Sequence, residues 1–145
     1  MPHRSIRTVL AGRTILAAAS PETTVNEAAR LMKERGVSAL MVVGKDGGLV
    51  GIFTERDALF RVLAEGRDPQ ATRLDEVMTR DPQTVHPDRP LEHALHMMYE
   101  GGFRHVPVVE NGRPLGLVSA RDALGPELRE FVADLEQREH IREIL

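Results

Sequence analysis

This 145-residue chain contains no cysteine and no tryptophan. Without cysteine it can form neither disulfides nor thiolate metal sites. One tyrosine and four phenylalanines are few rings for stacking nucleic-acid bases, and a net charge of −3 provides no attraction to a phosphate backbone. The sequence also lacks an apolar run of membrane-spanning or signal-peptide type. We therefore expect no nucleic-acid partner, no membrane partner, and a soluble protein of the cytoplasm.

What the chain does contain is one segment that occurs twice. Residues 51–59 (GIFTERDAL) and 116–124 (GLVSARDAL) both read glycine, two apolar residues, a hydroxyl residue, two further residues and aspartate. Upstream of them, residues 25–43 align with residues 91–109 without a gap. Such a repeat predicts internal symmetry. Because each half of roughly 60 residues would be only marginally stable alone, we expect the halves to share one core.

Hydrophobic periodicity predicts the same elements in both halves, namely a helix, two strands joined by a tight turn, and a second helix. The first half is expected to form them at residues 25–35, 38–43, 49–53 and 54–66. The second half is expected to form them at residues 91–100, 106–109, 115–118 and from residue 121 onward. Thr54 and Ser119 are suited to cap the second helix of each half. Residues before Pro21 are expected to form an extended segment.

This pattern divides the chain into a first repeat at residues 6–64, a linker at 65–73, a second repeat at 74–125 and a C-terminal helix at 126–145. The C-terminal helix has no counterpart after the first repeat. It carries an apolar stripe formed by Leu128, Phe131, Val132, Leu135, Ile141, Ile144 and Leu145. Two interpretations remain open, because this stripe could pack on its own chain or on a second subunit.

The repeated segments resemble a tandem pair of cystathionine-β-synthase (CBS) domains, the Bateman module, over roughly residues 6–124. The resemblance depends on the two Gly-x-x-[Ser/Thr]-x-x-Asp segments, with support from residues 35–40 (RGVSAL) and 104–109 (RHVPVV). It implies an α/β (α+β) fold of two β-α-β-β-α repeats related by a pseudo-twofold axis. It also implies clefts between the repeats that bind adenosyl ligands such as AMP, ADP or ATP, a regulatory rather than catalytic role, and a homodimer.

The resemblance implies two ligand sites, each built from both repeats. The first site, which we expect to be favoured, comprises Ala17, Val37, Ser38 and Ala39 around the base, with His105, Ser119, Arg121 and Asp122 around the ribose and phosphate. The second comprises Gln83, Phe103, Arg104 and His105 around the base, with Thr54, Arg56 and Asp57 around the ribose and phosphate and Thr79 as a weaker candidate. The first repeat has Ala39 where the second has His105, so we expect unequal sites.

Elementary chemistry is consistent with these roles. An aspartate can accept hydrogen bonds from both ribose hydroxyls, and a hydroxyl at a helix N-terminus lies beside free N–H groups that attract phosphate. The glycine ahead of it allows close approach of backbone and ligand. The same residues also have a purely structural interpretation, in which Thr54 and Ser119 cap helices and Asp57 and Asp122 are first-turn acids.

We therefore expect a regulatory sensor that binds an adenine nucleotide, foremost AMP, and signals occupancy to an unidentified protein partner. No cofactor is required. The alternative is an oligomerisation or scaffold module without a ligand, which the apolar stripe favours. The sequence has no phosphate loop and no catalytic triad or carboxylate signature, so we expect no enzyme. His93 and His96 lack an evident third ligand, so we expect no metal site.

Overall fold

The structure is a computed structural model that describes residues 4–13, 17–123 and 125–144, with the side chains of the last helix described over residues 129–139. The first half forms α1 (Ile6–Leu10), β1 (Ala18–Ala19), α2 (Val25–Arg35), β2 (Ala39–Val43), β3 (Leu49–Thr54) and α3 (Glu55–Asp57), which continues as a π-helical turn over Ala58–Leu63. The second half forms α4 (Leu74–Val77), β4 (Thr79–Arg80), α5 (Leu91–Gly101), β5 (His105–Glu110), β6 (Arg113–Ser119), a 3₁₀ turn (Ala120–Asp122) and α6 (Gly125–Ile144).

The two long helices of the repeats begin and end where their sequence signals predict. The hydroxyl of Thr24 accepts a hydrogen bond from the N–H of Glu27 and caps α2, which ends at Gly36 with φ 65°. Helix α5 likewise ends at Gly102, where φ is 73°. Glycine adopts this left-handed conformation without steric cost, so it stops both helices at the same point of the repeat.

The strands form two sheets whose internal arrangement repeats. In the first sheet β1 is parallel to β2, β2 is antiparallel to β3, and β4 joins the free edge of β3. In the second sheet β5 is antiparallel to β6, and Val85 bridges to Val108 in the parallel sense, as β1 does to β2. The predicted mixed α/β repeat is therefore confirmed, and a strand from the second half completes the sheet of the first.

The two short helices each pack in the opposite half: α1 packs in the core of the second repeat and α4 in the core of the first. Ile6 and Val9 of α1 are buried with Leu91 in the core of the second repeat. Leu74 and Val77 of α4 are buried in the core of the first. The expected single shared core is therefore wrong, because the described residues form two buried clusters that exchange helices. The expected extended segment before Pro21 is also wrong over α1, because its Ile6 and Val9 are one helical turn apart and are buried together.

The second helix of each repeat differs from its prediction. In the first half one α-helical turn continues as a π-helix rather than as a regular helix. In the second half Ser119 caps only a 3₁₀ turn, because Ala123 is extended with φ −69° and ψ 126°. The predicted helix from residue 121 is therefore interrupted, and α6 begins afresh at Gly125.

Helix α6 packs on its own chain over the part whose side chains are described. Phe131 packs against the core of the second repeat and makes edge-to-face contacts with His96 and Tyr99, with ring centroids 5.1 and 6.0 Å apart. Arg138 adds an ion pair to Glu100 at 2.8 Å. These contacts favour the within-chain interpretation of the stripe. Its members Leu128, Ile141, Ile144 and Leu145 lie outside the described side chains.

No helix among the described residues combines the length and the apolar composition that crossing a membrane requires.

The glycines of the repeated segments allow close approach of the chain to itself. A Cβ on Gly51 would lie 2.5 Å from the sulfur of Met78 and 2.9 Å from the carbonyl oxygen of Thr79. A Cβ on Gly116 would meet only a methyl group of Leu10, at 3.2 Å. At Gly51 the need for glycine therefore comes from the fold, since it allows α4 and β4 to lie against β3. Gly116 lines the first cleft, so close approach of a ligand there stays a prediction.

We predict that Gly51→Ala lowers the free energy of unfolding by about 1–3 kcal/mol, the usual cost of overpacking. Gly116→Ala is the matched control, because the end of the Leu10 side chain can move aside. Urea denaturation of both variants tests this explanation. A Gly51→Ala variant as stable as Gly116→Ala would contradict it.

Candidate functional site

Two clefts lie between the repeats. The first has a volume of about 500 Å³ and is lined by every residue that the sequence predicted for the first site: Ala17, Val37, Ser38, Ala39, His105, Ser119, Arg121 and Asp122. The second, of about 1010 Å³, is lined by all those predicted for the second: Thr54, Arg56, Asp57, Thr79, Gln83, Phe103, Arg104 and His105. Both volumes are of the size that small-molecule sites have. His105 lines both clefts.

Each cleft also contains residues that the sequence analysis missed. In the first cleft these are Leu10, Gly12, Arg13, Gly36, Leu115, Gly116 and Leu117. In the second they are Ile52, Glu55, Phe60, Arg61, Asp81, Pro82, Gly101 and Gly102. Most are neighbours of predicted residues in the sequence. Arg13 is different, because it lies in a segment where the two repeats align poorly, and only the folded chain brings it to the cleft.

The hydroxyl and carboxylate of the first cleft hold each other in place. The backbone N–H of Ser119 donates to Oδ2 of Asp122 at 2.8 Å, and the N–H of Arg121 donates to the Ser119 hydroxyl at 3.3 Å. Ser119 and Asp122 therefore cap the 3₁₀ turn that follows, as the purely structural interpretation of these residues expects. A carboxylate has roughly four acceptor positions, so capping leaves Asp122 able to accept further hydrogen bonds.

Arg13 forms an ion pair with Asp122. Its guanidinium contacts both carboxylate oxygens of Asp122 and donates to the carbonyl oxygen of Leu117 at 3.3 Å. The side chain of Arg13 is 41% exposed and that of Asp122 is 13% exposed. A basic side chain from the N-terminal segment therefore contacts the carboxylate that the sequence analysis expected to bind a ribose.

His105 connects the two repeats at the centre of the site. Its Nε2 lies 3.0 Å from the hydroxyl of Ser38, on the opposite repeat. Burial lowers the pKa of His105 below its ordinary value, with a further contribution from the positive charges of Arg104 and Arg121. The negative charges of Glu55 and Asp122 act in the opposite direction. The imidazole is consequently neutral at pH 7 and can form a hydrogen bond to Ser38 in either direction.

In the second cleft the carboxylate is engaged in a similar way. Oδ2 of Asp57 accepts hydrogen bonds from the N–H and the hydroxyl of Thr54 at 2.9 and 3.2 Å. Oδ1 of Asp57 lies 3.5 Å from the guanidinium of Arg61, which also donates to the carbonyl oxygen of Met78 at 3.0 Å. The side chain of Asp57 is 11% exposed, close to the 13% of Asp122. The two carboxylates are therefore equally sheltered, and they differ in the segment that supplies their arginine.

The two clefts also differ in charge. The first contains Arg13 and Arg121 against the single carboxylate of Asp122, so it is positive among the described lining residues. The second contains three arginines against three carboxylates, so its charges balance. One of these arginines, Arg56, lies over the ring of Phe60 at 5.6 Å. An anionic ligand is thus favoured electrostatically in the first cleft.

We predict that His105 makes the fold less stable in mild acid. The unfolded imidazole gains a proton near pH 6.5, whereas the folded one gains it only at lower pH. The contribution of neutral His105 is therefore fully present above pH ~6.5 and is lost as pH falls from there through the folded pKa. Urea denaturation between about pH 7.5 and about pH 5 should show a smaller loss of stability in His105→Gln than in the wild type. Parallel pH profiles of the two proteins would contradict the lowered pKa.

Known proteins resemble this chain over both repeats. The family model described as "CBS domain" matches twice, at residues 12–64 and 74–125. The CBS domain-containing protein YhcV of Bacillus subtilis is 38% identical over 75% of this chain and 76% of its own length. The CBS domain-containing protein CBSCBSPB3 of Arabidopsis thaliana is 41% identical over 85% of this chain. This chain spans only 22% of the length of that plant relative.

Solved structures resemble the chain to a similar degree. A putative signal-transduction protein with CBS domains from Burkholderia ambifaria has a TM-score of 0.75 and 31% identity, covering 90% of this chain and 96% of its own. The CBS domain pair of protein MJ0100, in complex with 5′-methylthioadenosine and S-adenosyl-L-methionine, has a TM-score of 0.73 and 29% identity. That match covers 83% of this chain and 93% of the other.

Proposed function

This chain belongs to the CBS-domain family, whose tandem pairs act as regulatory modules, and we propose that it is a sensor that binds an adenine nucleotide in the first cleft. Ligand occupancy would be signalled to a protein partner rather than used in catalysis. The adenosyl ligands bound by the MJ0100 domain pair support the ligand class. The observation on which the proposal chiefly depends is the composition of the first cleft, where a carboxylate, a capping hydroxyl and two arginines come together.

The charge of the first cleft favours a phosphate over a sulfonium. The two positive charges of Arg13 and Arg121 exceed the single negative charge of Asp122 among the lining residues. The neutral imidazole of His105 adds no charge. A nucleotide phosphate is attracted to this surface, whereas the positive sulfonium of S-adenosylmethionine is repelled by it. AMP, ADP or ATP is therefore the expected ligand, with AMP foremost because a cleft of about 500 Å³ is in the lower half of the usual range.

A nucleotide has to compete with Arg13 for Asp122. The side chain of Arg13 is 41% exposed and that of Asp122 is 13% exposed. A displaced Arg13 therefore gains water as its partner, while the ribose hydroxyls replace it as donors to the sheltered carboxylate. Once released from Asp122, Arg13 remains at the edge of the cleft, where its charge is available to a phosphate group. The bound and free states then differ in the position of the N-terminal segment, which is the differential contact that a sensor requires.

A homodimer in the cytoplasm is part of the same proposal. Leu59, Phe60 and Leu63 are 51%, 55% and 66% exposed on the helix beside the second cleft. Large apolar side chains exposed together favour association with another protein surface. We propose a second copy of this chain as the occupant, leaving the regulated protein to bind elsewhere.

We predict that Asp122→Asn weakens AMP binding by at least about tenfold, since replacing a charged acceptor costs more than 1.4 kcal/mol. Asp57→Asn is the matched control, because it makes the same chemical change in the equivalent capping position of the second cleft. Isothermal titration calorimetry with AMP, ATP and S-adenosylmethionine provides the affinities without depending on the stability of each variant.

The wild type should prefer the nucleotides, and Asp57→Asn should retain that affinity. At about 100 times its dissociation constant, the nucleotide should also raise the melting temperature of the wild type by about 5–10 °C. Absence of binding to all three compounds would instead favour the scaffold function, in which the aspartates serve only as caps. Equal affinity of Asp122→Asn and the wild type would refute the assignment of the first cleft.

A further inference from the structure

Three side chains of metal-ligand type meet where α5 and α6 pack together, away from both clefts. Glu92 and His96 lie one turn apart on α5, and Asp134 reaches them from α6. Nε2 of His96 lies 3.2 Å from Oδ2 of Asp134 and 3.6 Å from Oε1 of Glu92. The three ligand atoms all lie within 4.8 Å of one another. The side chains of Glu92 and His96 are only 16% and 17% exposed, so the group is partly sheltered from water.

We propose that Glu92, His96 and Asp134 form a zinc site that joins α6 to the second repeat. Zinc takes tetrahedral ligands at about 2.0–2.2 Å, which places neighbouring ligand atoms about 3.3–3.6 Å apart. The separations of His96 Nε2 from the two carboxylates, 3.2 and 3.6 Å, lie within about 0.1 Å of the edges of such a tetrahedron. One imidazole and two carboxylates leave the fourth position to water. The imidazole favours zinc over magnesium or calcium, which prefer oxygen ligands.

The charges at this position suit a divalent cation. Glu92 and Asp134 bring two carboxyl groups to one imidazole, and a zinc ion would supply two positive charges, which balance two carboxylates.

A second cluster of one histidine, one aspartate and one glutamate lies elsewhere on this chain, and an arginine pairs with both of its carboxylates. His86, Asp88 and Glu110 also bring three ligand atoms together. Here, however, Arg7 donates to Asp88 at 3.0 Å and to Glu110 at 2.8 Å. The guanidinium already supplies the charge and occupies the lone pairs that a metal would use. This group is therefore an internal control for the proposal.

The hydrogen bonding of His96 determines the zinc affinity that we expect of this site. The Nδ1 atom of His96 is buried and has no hydrogen-bond partner among the described residues. Zinc-bound histidines usually donate this second N–H to an acceptor, and loss of that contact weakens metal binding about 10–100-fold. We therefore expect micromolar, reversible binding. Zinc would then add to the contacts of Phe131 and Arg138 that already hold α6 against α5.

The test uses the whole chain without a histidine tag, treated with a chelator and then dialysed. Zn²⁺ is titrated by calorimetry into the wild type, Asp134→Asn and Asp88→Asn. Asp134 is 46% exposed and asparagine has nearly the same shape, so the variant should fold. The wild type should bind one zinc ion, Asp134→Asn should bind it at least about tenfold more weakly, and Asp88→Asn should match the wild type.

Hydrogen exchange provides a second readout that concerns α6 itself. Zinc should slow exchange of the amides in residues 129–139 of the wild type and leave those of Asp134→Asn unchanged. The proposal is overturned if the wild type takes up no zinc at micromolar concentration, since the three side chains then serve only to pack α6 against α5. It is also overturned if Asp134→Asn binds zinc as tightly as the wild type. The outcome is independent of nucleotide binding, because none of the three ligands lines either cleft.

Discussion

The exchange of short helices between the repeats is the interaction on which the rest of the structure depends. Ile6 of the first half is fully buried in the core of the second repeat, and Leu74 of the second half is fully buried in the core of the first. Burying one such side chain contributes about 1.5–3 kcal/mol, so each short helix stabilises the repeat on which it packs. The exchange brings Arg13 and Ala17 to the first cleft and Thr79 and Gln83 to the second. Both candidate sites therefore exist only in the paired molecule.

The repeated Gly-x-x-[Ser/Thr]-x-x-Asp segment has a structural role before it has any role in binding. In both halves its hydroxyl residue and its aspartate exchange hydrogen bonds across a helix start. The copies then diverge in their arginine partners, since Asp57 pairs with Arg61, four residues further along the chain, while Asp122 pairs with Arg13 of the N-terminal segment. The internal repeat thus gives both clefts the same pair of capping residues. Residues outside the repeated segments make the two clefts chemically unequal. This inequality underlies our proposal that an anionic nucleotide prefers the first cleft.

Much of this architecture could be predicted from the sequence, because it depends on local signals. Gly36 marks the end of α2, and the resemblance to tandem CBS domains identified residues that line both clefts. The sequence could not reveal contacts made between distant segments. Arg13 meets Asp122 across 109 positions, and Asp134 meets His96 across 38. The short α1 carries too few periodic residues to distinguish it from an extended segment, and the role of Gly51 depends on α4 and β4 lying against it.

The position at which the nucleotide binds is the central claim about this protein. An amide-detected NMR titration of the ¹⁵N-labelled chain with AMP measures it directly. We predict that the resonances of Arg13, Ser38 and Ser119 shift first and together, because these residues surround the first cleft. Those of Thr54 and Phe103, in the second cleft, should respond only at higher concentration. Shifts confined to the second cleft, or none at saturating AMP, would contradict the account.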